Sequence, residues 1–300
     1  MSSRAPDRLY VMTETVSRTL EAPGAVLAYD VRTPSGSTGP VLLMIGSPMG
    51  ADGFTALAGH FPDRTIVTYD PRSAGRSPRT DGALVTTPEE HADDLHRLIA
   101  EVSDGPVDVF ASSGGAVNAL ALVAKHPEQV RTLVAHEPPA CPELPDASIV
   151  LAACQDIHDT YLASGFGPAM AKFIAMMMRQ GPLPDDFLDQ PAPDPASFGL
   201  PSQDDGTRND PLVGQNMVSC THYQHDFAAL RAAPTRIVVG VGEDSAHEVA
   251  GRAGAAVATR LGLEPVMFPS HHGGFLADGY GMPGKPAEFA AVLRDALRAG

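Results

Sequence analysis

Short continuous apolar runs constrain this chain more than any other feature. Pro40–Gly46, Arg64–Asp70, Val107–Ala111, Val130–His136 and Thr235–Gly242 are each apolar over the length of one strand. A strand buried on both faces of a parallel sheet reads this way, because helices cover both sides of it. Helical patterns lie between the runs. Thr87-Pro88-Glu89-Glu90 is a capped helix start, and Leu95, Leu98, Ile99 and Val102 then share one face. Ala116–His126 reads as a helix stopped by Pro127, and Ala246–Leu261 and Pro286–Arg298 as two more. Thr13–Ala22 and Ala25–Thr33 read as a strand pair turning at Pro23-Gly24, a short helix is expected over Phe54–His60, and Pro265–Pro269 reads as the last strand. The expected fold is α/β: a doubly wound, mostly parallel sheet of eight strands.

The alternation stops between Ala140 and Ala233. Helical stretches follow at Ile149–Ala163, Pro168–Gln180 and Leu212–Arg231, with a Pro/Asp/Gly-rich segment over Gly181–Asp210. The expected division is therefore a core of residues 1–139 and 234–300 and a helical insertion of residues 140–233. Composition excludes some partners. A net charge of −15 opposes binding to nucleic acid or an anionic membrane. No apolar run approaches the ~20 residues that span a bilayer, and Met1–Arg18 lacks the apolar core of a signal peptide. Cys141, Cys154 and Cys220 are widely spaced, which fits reduced thiols in a cytoplasm and makes no metal-ligand pattern. No phosphate-binding glycine loop implies a nucleotide cofactor, and none is expected. A homodimer is compatible with the sequence.

The chemistry centres on Ala111-Ser112-Ser113-Gly114-Gly115, between the strand at Val107 and the helix from Ala116. A serine flanked by small residues at a strand-to-helix corner has the form of a nucleophile elbow. The small neighbours matter because the corner is strained and the chain packs closely around it. Ser113 is the centre of the pattern. Shifting the frame to Ser112 puts Phe110 where a small residue is needed. A general base is expected after the last strand, in Ser270-His271-His272-Gly273-Gly274-Phe275, a loop that opens at the same carboxyl edge of the sheet.

Nucleophile, last-strand histidine, Asp70-Pro71-Arg72-Ser73-Ala74-Gly75-Arg76-Ser77 and His272-x-Gly274-Phe275 together resemble the α/β-hydrolase family over the whole chain apart from the insertion. The resemblance implies that residues 140–233 form a helical cap inserted after the sixth strand. It makes His272 the general base and His271 an ordinary loop histidine. It implies oxyanion donors at the N–H groups of Gly114 and of Ser47, where Ile45-Gly46-Ser47-Pro48 replaces the family's His-Gly-x-Pro. Two positions compete for the acid. The family's usual Gly-x-x-Asp turn reads Gly242-Glu243-Asp244-Ser245, so the aspartate slot holds Ser245, and Asp244, one residue early, reads equally as a helix N-cap. Glu137, at the end of the sixth strand, matches branches that carry the acid there, among them certain haloalkane dehalogenases and zearalenone-type lactonases.

The implied activity is serine hydrolysis of an uncharged apolar ester, most sharply a lactone, through an acyl-enzyme. Carbon–carbon bond hydrolysis and cofactor-free perhydrolysis use the same triad, and a non-catalytic small-molecule-binding protein is the alternative of another class. Met49, Tyr161, Met170, Phe173, Met177, Met217 and Tyr223 are the residues expected to line an apolar substrate pocket, methionine being suited to irregular ligands. Each reads also as ordinary packing.

Overall fold

The structure is a computed structural model that describes residues 14–37, 39–279 and 282–298. Thr13 at the start of the expected first strand, and the reading of residues 1–13, lie outside the described residues. Eight strands form one sheet: β1 (Thr15–Ala22), β2 (Ala25–Arg32), β3 (Leu42–Ile45), β4 (Ile66–Tyr69), β5 (Val107–Ser112), β6 (Val130–His136), β7 (Arg236–Gly242) and β8 (Val266–Phe268). Their order is β1-β2-β4-β3-β5-β6-β7-β8. β2 runs antiparallel to β1 and β4, and the other neighbours are parallel. The helices are α1 (Thr55–Gly59), α2 (Pro88–Val102), α3 (Gly114–Lys125), α4 (Ala147–Ser164), α5 (Phe166–Met177), α6 (Met217–Thr221), α7 (Phe227–Ala232), α8 (Val249–Leu261) and α9 (Pro286–Arg298).

Strand alternation decides which side chain meets which helix layer. Leu43, Ile45, Val67, Val109 and Ala111 pack with α2, α3 and α8 on one face. Leu42, Met44, Ile66, Phe110 and Val134 pack with α1 and α9 on the other. The central runs are therefore apolar throughout because both faces are covered. α2 starts as its sequence requires: Thr87 Oγ1 accepts from the Glu90 N–H at 3.2 Å, and Glu90 Oε2 accepts from the Thr87 N–H at 3.0 Å.

Between β6 and β7 the described residues carry no strand. α4 and α5 build a separate apolar cluster with Val150, Ile157, Tyr161 and Met176. The helix expected over Leu212–Arg231 is in fact three pieces: a π-helical turn (Pro211–Asn216), α6 and α7, with a break at residues 222–226. Two aspartates explain the break. Asp210 accepts from the N–H groups of Leu212 and Val213, and Asp226 accepts from that of Ala229, so each opens its own helix. His222 and His225 therefore do not share a helix. Phe227 and Leu230 of α7 belong to the core against the sheet, not to the cluster of α4 and α5. α8 begins at Val249 rather than Ala246, with Glu248 at its N-cap.

Candidate active site

Four neighbouring strands each deliver one residue of the site from their carboxyl ends: Ser113 after β5, Glu137 after β6, Ser245 after β7 and His272 after β8. Ser113 sits at the corner with φ 57° and ψ −129°, a conformation that L-residues rarely adopt. Its N–H donates to the His136 carbonyl at 3.0 Å, which ties the corner to β6. The two following glycines are required by close approach. A Cβ on Gly114 would lie 2.6 Å from the Ser47 carbonyl oxygen, and one on Gly115 would lie 2.8 Å from the Gly46 backbone. Ser112 is the last residue of β5, paired with His136 and buried.

Glu137 is also strained, with φ 48°, and is fully buried. Its Oε1 accepts from the Gly242 N–H at 2.8 Å and from the Ser245 hydroxyl at 2.6 Å. Its Oε2 meets His272 Nδ1 at 2.5 Å. Burial pushes the Glu137 pKa up, but the hydrogen bond and charge of His272, the nearby His136 and the Ser245 bond outweigh it and hold the pKa at about 2. Burial pushes His272 down, and the Glu137 bond and charge more than reverse this, so the imidazole ends above its ordinary value. With Nδ1 engaged by Glu137, Nε2 is the nitrogen left to exchange a proton. His272 packs 6.1 Å, centroid to centroid, from the ring of His136, the residue whose carbonyl holds Ser113. His136 itself is caged by Phe110, Phe268, Phe275 and Phe289, and burial drops its pKa to about 4, so it is neutral.

Asp244 is exposed and forms no side-chain hydrogen bond among the described residues. Its N–H donates to the Ser270 carbonyl, and it neither meets His272 nor caps α8. His271 accepts from the Gly273 N–H within its own turn. Across from the elbow, neither the Ser47 N–H nor the Gly114 N–H has a partner among the described residues. The Asp70–Ser77 turn supports the chain just beyond: Asp70 accepts from the Ala51 and Arg76 N–H groups, and Ser77 donates to the Asp70 carbonyl. Arg72 turns inward to a buried pair with Asp94 at 2.5 Å.

The residues expected to line a pocket are distributed over three apolar clusters. Tyr161 is fully buried in the insertion, where its hydroxyl accepts from the Asp210 N–H at 2.9 Å. It borders a cavity of about 450 Å3 with Phe166, Gln203 and Asp205, none of them a residue of the Ser113 edge. Met170, Phe173, Met177 and Met217 pack in or against the α4–α5 cluster. Tyr223 lies against the sheet core, and Met49 against the opposite core. Among the described residues no three His, Cys, Asp or Glu side chains come together as a metal site.

Ser245, Gly242 and Asn216 are parts of the site that sequence reasoning missed. Ser245 carried a readable signal: a hydroxyl in the slot where the family places its acid, beside a strand-end glutamate. Asn216 carried none, because it falls in a stretch that reads as one helix. Ser245→Ala should lower kcat roughly tenfold, the worth of one hydrogen bond to a charged group. The Gly242 N–H would still hold Glu137. Turnover of an aryl ester within about twofold of wild type would show the bond to be idle.

The α/β sheet with its strained strand-to-helix corner is matched by the sequence model of the alpha/beta hydrolase fold over residues 39–229, and the chain belongs to that family. Among particular relatives, it is 42% identical over 122 residues to YraK, an uncharacterized hydrolase of Bacillus subtilis (strain 168), a match covering 40% of this chain and 44% of that protein. Thus less than half the length of that relative is matched. A thermophilic esterase from Thermogutta terrifontis has a similar structure, with a TM-score of 0.64 at 19% identity over 95% of this chain and 98% of the other. The enol-lactonase of Burkholderia xenovorans LB400 gives 0.63 at 13% identity over 93% and 99%. At these identities the two structures share the fold with this chain.

Proposed function

We propose that this protein is a serine hydrolase of uncharged apolar carboxylic esters, most specifically of lactones. The observation that carries the reading is the Glu137–His272 contact at 2.5 Å, assembled at the sheet edge where Ser113 stands in a strained corner. Ser113 Oγ attacks the carbonyl carbon as His272 Nε2 takes its proton. Glu137 holds the Nδ1–H tautomer and stabilises the imidazolium. The negative charge that develops on the carbonyl oxygen is received by the Ser47 and Gly114 N–H groups. His272 returns the proton to the leaving alkoxide, which in a lactone stays attached to the acyl chain. A water activated by His272 then attacks the acyl-enzyme, freeing the acid and restoring Ser113.

An esterase and an enol-lactonase among proteins of the same fold support the substrate class. The helical segment between β6 and β7 fits a cap over the site, and an acid after β6 favours the lactone reading by family analogy. The three cysteines are free and buried, which suits a reducing compartment.

A panel of aryl esters of increasing acyl length and of small and macrocyclic lactones tests this. Turnover of lactones above acyclic esters of equal size is expected. Ester turnover alone would retain the hydrolase and remove the lactone preference, and an inert enzyme would make the chain a binding protein on this scaffold.

A further inference from the structure

One contact joins the insertion directly to the oxyanion loop. Asn216 ends the π-helical turn and is 4% exposed. Its Nδ2 donates to Ser47 Oγ at 2.9 Å. A Cβ built on Gly114 would lie 3.3 Å from the same Nδ2 and 2.6 Å from the Ser47 carbonyl oxygen. The amide therefore sits over the gap between the two residues whose N–H groups face the proposed oxyanion.

The amide is held from behind. Its Oδ1 accepts from the Cys220 thiol at 3.1 Å, one turn further along. Burial pushes that thiol up to about 12, so it stays protonated and remains a donor. This orients the carboxamide with oxygen toward Cys220 and nitrogen toward Ser47. The backbone is fixed too: the Asn216 carbonyl accepts from the Ser219 hydroxyl at 3.0 Å, and the adjacent Gln215 carbonyl accepts from the Thr86 N–H at 3.3 Å. Asn216 makes this reach from the last residue of the π-helical turn.

We infer that Asn216 is a positioning residue for the oxyanion hole: from the insertion it pins Ser47, and with it the N–H that receives the developing negative charge. The inference rests on the proposed roles of Ser113 and Ser47. It makes the hole a shared product of the sheet edge and the insertion. Donors in such a hole work only when held in place beforehand, and a small displacement forfeits much of the rate.

The test compares Asn216→Ala, Ser47→Ala and the double variant with wild type. The readouts are the second-order rate of labelling by a fluorophosphonate, kcat and KM on p-nitrophenyl butyrate, and the melting temperature. Asn216→Ala should slow labelling and lower kcat roughly ten- to a hundredfold, with KM near wild type and the melting temperature down by only several degrees. Ser47→Ala keeps every backbone N–H yet should lose a similar factor, and the double variant should be no worse than the slower single one. Labelling of Asn216→Ala within about twofold of wild type would overturn the inference, as would losses that multiply in the double variant. If Asn216→Ala does not fold, Ser47→Ala decides alone, and its unchanged labelling overturns the inference. Absence of labelling in the wild type itself would sink the serine-hydrolase reading and this inference with it.

Discussion

Ser113→Ala should abolish labelling by a fluorophosphonate and lower aryl-ester turnover on the order of 10⁶-fold, leaving only what binding and the oxyanion donors give. The loss is large because no neighbour can replace the hydroxyl. Ser112, the nearest serine, is the last residue of β5 and lies buried in the sheet, paired to β6. Ser112→Ala should therefore still be labelled. Covalent adduct on Ser113→Ala, mapped by peptide mass, would move the nucleophile elsewhere.

Glu137→Gln should cost on the order of 10³–10⁴-fold in kcat, while Asp244→Asn should change it by less than about twofold. The glutamine amide can present N–H to His272 Nδ1, which forces the wrong tautomer and leaves Nε2 unable to accept the Ser113 proton. The pH profile adds a second readout. Turnover needs neutral His272, so activity falls on the acid side as that imidazole takes up a proton. Because Glu137 raises the His272 pKa, the acid limb in wild type lies above the ordinary histidine value of ~6.5. Removing the carboxylate charge removes the cause, so in Glu137→Gln the limb should shift to lower pH while the plateau drops. A kcat/KM profile across this range checks both. A large loss in Asp244→Asn alone would transfer the acid to the β7 turn.

Much of this was legible before any coordinates. The apolar runs at Pro40, Val107, Val130 and Thr235 are strands because both of their faces are covered, and that requirement is written in every residue of the run. Ser113 and His272 stood out in the sequence because strand ends and small residues mark them locally. The acid was not decided by pattern, since a strand-end glutamate and a turn aspartate satisfy the same rule. What sets Glu137 apart from Asp244 is three donors converging on its carboxylate from β7 and β8, contacts made between residues more than a hundred positions apart. The segment from Leu212 misled for a related reason. Its apolar spacing suits a helix, but the caps at Asp210 and Asp226 divide it.

The contact of Gly115 with Gly46, and of Gly114 with Ser47, has a consequence for how such an enzyme can change. The loop at Gly46–Ser47 and the elbow approach backbone to backbone at these glycines, so a Cβ on either Gly114 or Gly115 would force the two segments apart. Asn216 adds a side-chain tie at the same place, through Ser47 Oγ. On the proposed reading, variation that moves this one amide would alter the speed of the reaction.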